Sequence, residues 1–209
     1  MTAKLGSAPV VGASSVRFCV VLVLALTCWT GWASPLNSDA IRARYGSYSV
    51  DVISQSTTQR VAALRSGLAS DSICRTLALT QFAVPVAAEL LSAHERILAG
   101  ASIGETIRNA GFVVTKSDPI YFQLSSWELF EQLAQHTVPR NTPLLAQIYR
   151  IGATTAEKHI PYAVIIEIYH PDYRSLEEQE TIGNDAIDAL DPTYRVALDS
   201  LNTLRRENP

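Results

Sequence analysis

Residues 162–170, Tyr162-Ala163-Val164-Ile165-Ile166-Glu167-Ile168-Tyr169-His170, decide how this chain folds. β-Branched and aromatic side chains dominate the run, a composition that suits a pleated strand. Alternation places Ala163, Ile165, Glu167 and Tyr169 on one face, and Tyr162, Val164, Ile166, Ile168 and His170 on the other. Both faces are apolar, so the strand belongs in the middle of a sheet and is covered on both sides.

Outward from this strand, the pattern predicts a hairpin partner over 144–151, joined across 152–159. Earlier strands are expected at about 48–52, 60–65 and 73–84, with links too short for crossover helices, which makes them an antiparallel meander. Two more are expected at 112–116 and 120–124. Helices are predicted from Asp39 to Tyr45 with Gly46 as the stop, from Pro85 to Gly100, and from Ser102 to Gly111. Another carries Trp127, Phe130 and Leu133, and a last one, begun by Asp191-Pro192, puts Tyr194, Ala197, Leu198, Leu201 and Leu204 on one face. Ser102/Glu105, Ser125/Glu128 and Ser175/Glu178 have capping-box spacing. The expectation is one α+β domain over 34–209, a mostly antiparallel sheet of about six strands with helices packed on one face.

Residues 1–33 read as a signal peptide. Lys4 and Arg17 precede any acidic residue, an apolar run begins at Phe18, and Gly31-Trp32-Ala33 offers small residues for cleavage before Ser34. The apolar run, 18–29, is shorter than the ~20 residues a membrane span needs. Retention as an anchor, or lipidation at Cys28, are the alternatives. Cleavage leaves Cys74 as the single cysteine, read as a buried, inert thiol. It also removes two of the 17 basic residues and none of the 20 acidic ones, for a net charge of −5. Apart from Arg205-Arg206 no basic cluster exists, so nucleic acid and anionic membranes are expected to be poor partners.

Glu167 is the strongest chemical candidate, because a carboxylate on an apolar strand needs a partner or a proton. It is either an acid/base or ligand-anchoring group, or half of a structural ion pair with Arg150. Glu167 and His170 have metal-pair spacing only on a helix; on a strand they point to opposite faces. His170 is expected extended before Pro171, in a turn, either exposed or part of a site. His94 lies on a helical apolar face and lacks the second histidine of a zinc helix. Candidate catalytic residues are therefore Glu167, His170 and His94, and candidate ligand contacts are Arg150, Tyr162 and Tyr169. No metal ligand set, cofactor loop or nucleophile elbow is present.

The helix–helix–strand run over 96–116, followed by the strand pair ending at Tyr169, resembles the order of elements in chorismate lyase and related ligand-sensing domains. The resemblance implies a small carboxylate bound over an antiparallel sheet. It covers under half the chain, and the three N-terminal strands depart from that family.

Together these readings predict an exported accessory protein, periplasmic or secreted, that binds a small ligand or an envelope partner without catalysing a reaction. Two alternatives stand beside it: an enzyme acting on a small anionic substrate through Glu167, and a self-associating structural protein of the envelope.

Overall fold

A computed structural model describes residues 35–67, 71–182, 186, 189 and 192–208. The signal peptide predicted over 1–33 and the helix-starting Asp191 lie outside the described residues. In chain order the strands are β1 (Ser49–Gln55), β2 (Gln59–Ser66), β3 (Ile73–Phe82), β4 (Val113–Lys116), β5 (Ile120–Ser125), β6 (Pro143–Thr154) and β7 (His159–Tyr169). The helices are α1 (Asn37–Tyr45), α2 (Leu91–Leu98), α3 (Ile103–Asn109), α4 (Glu128–Leu133) and α5 (Pro192–Glu207).

The strands form one antiparallel sheet in the order β1-β2-β3-β7-β6-β4, with β5 sharing the outer edge of β6. The fold class is thus α+β, with seven strands instead of about six. The meander β1-β2-β3 forms as expected, and β7 lies at the centre between β3 and β6.

Helices cover both faces of the sheet, not one. Val164, Ile166 and Ile168 pack with Phe130 of α4 and with Tyr194, Ala197 and Leu201 of α5. On the opposite face Ala163 and Ile165 meet Ile97 of α2 and Ile107 of α3, and Tyr169 meets Ile41 of α1. The reason is in β7 itself: two apolar faces each need a layer to exclude water. Tyr162 departs from the alternation and joins the α2–α3 side. It sits where the β6–β7 register slips between the Ile151–Ala163 and Gly152–Pro161 pairs, and a bulge there re-aims its side chain.

Local signals succeed unevenly. Gly46 ends α1 in the left-handed conformation at φ 75°. By contrast, Ser102 precedes α3 without a side-chain cap, its hydroxyl instead lying 3.4 Å from the Tyr48 hydroxyl. Ser125 ends β5, and Trp127 rather than Ser125 precedes α4. Pro85 lies before a 3-10 turn (Ala88–Leu90), not in the first turn of α2. Cys74 is buried in β3, and burial pushes its thiol up to about 12, which keeps it protonated and inert.

Gly152, at the bulge, has no room for a side chain: a Cβ there would meet His159 Cε1 at 2.5 Å and the Ile160 carbonyl oxygen at 2.8 Å. The second contact is backbone and cannot rotate away. Gly152→Ala is expected to destabilise the domain by roughly 1–3 kcal/mol, as overpacking does. Urea unfolding checks this; an unchanged midpoint would show that the β6–β7 hairpin yields easily.

Candidate functional site

A cavity lies between the sheet and the starts of α1 and α3, and small side chains create it. Val52, Ala62, Ala78, Glu167 and Gln147 form one row across β1, β2, β3, β7 and β6. Two alanines beside a carboxylate leave space that Leu36, Ile103 and Gly104 roof over. The space open to water-sized groups is about 60 Å³. At ~10–15 Å³ for each such group, it holds roughly four to six.

One end of the cavity is Glu167, 3% exposed. Its Oε2 accepts hydrogen bonds from Gln147 Nε2 at 2.6 Å and from the Tyr169 hydroxyl at 2.7 Å. Its Oε1 accepts from Asn37 Nδ2 at 3.2 Å. Asn37 Nδ2 also donates to Thr76 Oγ1 at 3.0 Å, and Asn37 Oδ1 accepts from the Tyr173 hydroxyl at 2.6 Å. Every one of these donors is neutral, and among the described residues no salt bridge reaches Glu167. Burial first, and then the Glu167 carboxylate, raise Tyr149 and Tyr169 well above the usual phenol range, so both remain donors.

Arg60 of β2 lies at the other end, 2% exposed. Its Nη1 donates to the carbonyls of Ala101 at 2.7 Å and Ile97 at 3.3 Å, and its Nη2 to that of Gly100 at 3.4 Å, closing the end of α2. Its Nε is buried without an acceptor, and no carboxylate pairs with the guanidinium among the described residues. Burial lowers its pKa from the ordinary arginine range. Lys116 lines the same cavity, its Nζ 4.7 Å from the Tyr149 ring centre. Tyr48 stands between the two ends; burial raises its hydroxyl to about 12, the Glu167 charge adding to that rise and the Arg60 charge opposing it. Arg60 and Glu167 are two strands and two residues apart, which places their Cα atoms ~12 Å from each other.

The candidate residues from the sequence scatter over the molecule. Glu167 and Tyr169 share the network just described. Arg150, expected to pair with Glu167, lies elsewhere: its Nη2 donates to Thr193 Oγ1 at 3.1 Å and its guanidinium stacks 4.8 Å from the Tyr194 ring. Tyr162 bonds His94 Nδ1 at 2.9 Å, away from Glu167. His170 opens the expected turn, its carbonyl accepting from the Tyr173 N–H at 2.8 Å, but its side chain is buried on the α4 side and not exposed. Its Nδ1 accepts from the Asp172 N–H at 3.1 Å, and its Nε2 lies 3.0 Å from Thr137 Oγ1, whose hydroxyl donates to the Ala134 carbonyl. That arrangement puts the proton on Nε2. Glu167 and His170 therefore face opposite sides of the sheet, and no group of three or more metal-ligating side chains occurs among the described residues.

Burial is the main cause that lowers the pKa of both His94 and His170; Glu95 and Asp172, respectively, oppose it. Unfolded, both would titrate near 6.5. The unfolded chain thus binds more protons below that pH, and stability is expected to fall as pH drops through 6.5, by at most ~1.4 kcal/mol per pH unit for each histidine. Urea unfolding at a series of pH values checks the slope; stability that is flat between neutral pH and the onset of carboxylate titration would contradict it.

No family model matches the chain, and no curated protein matches it. Among the solved structures similar to it are these three. They are the C-terminal domain of PhnF (17% identity, TM-score 0.35, over 54% of this chain and 67% of that one), the C-terminal domain of Yurk from Bacillus subtilis (12%, 0.36, over 60% and 87%) and a GntR-family transcriptional regulator from Enterococcus faecalis (12%, 0.36, over 66% and 96%).

What these neighbours are does not agree with the functional expectation drawn from the sequence. One of them is a transcriptional regulator, whereas the sequence pointed to an exported, periplasmic or secreted accessory protein with an envelope partner and no nucleic-acid connection. Export, envelope partner and the exclusion of nucleic acid are accordingly withdrawn. Asn37 and Arg60, which line the cavity, and Gln147, which holds Glu167, were not singled out in the sequence; a polar Gln147 inside the apolar run 144–151 was the one available signal.

Proposed function

We propose that this domain binds a small polar molecule in the cavity between the sheet and α1/α3. An anionic group of the ligand meets Arg60 and Lys116, and a hydrogen-bond donor or cation meets Glu167. One observation carries the proposal: a buried guanidinium and a buried carboxylate line one cavity, and among the described residues neither makes a salt bridge. Each charge is hydrogen-bonded by neutral groups alone, Arg174 acting on Glu167 only through space, and a ligand bearing complementary charge supplies the direct partner each lacks. The antiparallel floor is of the kind the chorismate lyase resemblance implied, but the cavity supports the proposal and the distant structural likeness does not.

The size of the cavity limits the ligand to a few non-hydrogen atoms. Acetate, glycine and β-alanine are suitable probes. The two zwitterions are expected to raise the melting temperature saturably and more than acetate does, with ~2.7 kcal/mol of stabilisation at a hundredfold excess over Kd. Ala78→Leu, which fills the floor beside Glu167, is expected to abolish the response in a folded protein. A rise that sodium chloride reproduces, or one that survives Ala78→Leu, would refute the proposal.

A further inference from the structure

Away from that cavity, Arg205-Arg206 formed the single basic pair noticed in the sequence, and the fold gives it a setting. Arg205 and Arg206 of α5, Arg140, and Trp127 at the start of α4 line a cleft of about 440 Å³. Trp127 is 5% exposed, and its indole Nε1 has no hydrogen-bond acceptor. The Nε of Arg205 is likewise buried without an acceptor, while its guanidinium lies 5.5 Å from the Trp127 ring and its Nη2 donates to the Ser125 carbonyl at 3.3 Å. Arg206 bonds only its own helix, at Asn202 O and Thr203 Oγ1. Arg140 is held by Glu128 and Glu131. Among the described residues, two adjacent guanidinium groups thus have no carboxylate partner, and two donors there, Arg205 Nε and Trp127 Nε1, have no acceptor.

We infer that this cleft is an anion-binding site for a compact tetrahedral oxyanion of the phosphate class. A buried N–H without an acceptor is unfavourable, and two in one place mark a missing acceptor rather than a random defect. An acceptor with several oxygens satisfies both at once, and the planar guanidinium fork matches such an ion bidentately. Arg205 stacks on the indole, so the oxyanion engages Arg205 Nε and Trp127 Nε1 together when that side chain shifts off the ring. Arg140 pairs with both Glu128 and Glu131, a trio that keeps one net negative charge, while Arg205 and Arg206 put two positive charges on their side of the cleft.

The test is calorimetric titration of the full chain with inorganic phosphate at constant ionic strength, sodium chloride serving as the control. Saturable binding is expected, weakened at least tenfold by Arg205→Gln and by Arg206→Gln. Trp127→Phe keeps an aromatic ring under Arg205 but removes the pyrrole half with its N–H; it is expected to lose affinity for phosphate while the protein stays folded. Ala78→Leu, which blocks the other cavity, is expected to leave this binding unchanged. Heats that chloride reproduces, affinity that survives Arg205→Gln and Arg206→Gln, or binding lost only in Ala78→Leu would overturn the inference.

Discussion

Glu167→Ala is expected to lower the melting temperature by about 10 °C or more. The substitution leaves Gln147 Nε2, the Tyr169 hydroxyl and one N–H of Asn37 Nδ2 without their acceptor, which the few waters the cavity admits replace only in part. Each orphaned buried donor costs ~1–3 kcal/mol. Three together amount to several kcal/mol, and in a domain of this size each one lowers the melting temperature by ~2–4 °C. Glu167→Gln keeps one acceptor oxygen and turns an –NH2 towards groups that are themselves donors, so a smaller loss is expected. The order wild type, Gln, Ala in melting temperature is the signature of an acceptor-only role. Equal stabilities for the three proteins would mean that the network around β7 rearranges freely, against the close packing on that face.

For Arg60→Met, the larger effect is expected on binding. The methionine fills much of the same volume and removes the charge, and truncating one member of a buried charge pair costs ~2–5 kcal/mol of affinity. That corresponds to a loss of at least about 30-fold for the zwitterionic probes. The effect on stability is smaller, ~1–2 kcal/mol, because two opposing changes nearly offset. Hydrogen bonds to the carbonyls of Ile97, Gly100 and Ala101 are lost, but a buried guanidinium without an anionic partner is lost too. The Gly100 and Ala101 carbonyls are only partly buried, so water replaces some of what Arg60 supplied. Arg60→Lys, which keeps the charge and discards the fork, is expected to retain part of the affinity. Titration calorimetry beside urea unfolding separates the two effects; a variant that binds as the wild type does would remove Arg60 from the site.

The sheet was legible because its pattern is local. Residues 162–170 announce a strand with two apolar faces, which puts β7 inside the sheet; its neighbours β3 and β6 and the helices on both faces came from the tertiary structure. The meander follows from link lengths too short to cross over, and α5 from the spacing of Tyr194, Ala197 and Leu201. Capping failed where tertiary contacts outbid it: Ser102 turned to Tyr48, and Ser125 was taken into β5 by pairing with Pro143. Tyr162 escaped the alternation because a bulge, set by how two strands register, interrupts it.

By itself the sequence determined the strand pattern, the fold class and the fact that Glu167 must be either satisfied or neutral. It could not say by what. Asn37, Gln147 and Thr76 come to Glu167 and its network from three separate elements, and register alone sets Ala62 and Ala78 beside the carboxylate to leave a hollow. Arg60 reads in sequence as an ordinary residue near a strand end; only the packing of α2 over β2 buries it and strands its charge at the cavity. Periodicity is written along the chain, whereas a site is made by residues whose separation in sequence carries no information about their distance in space.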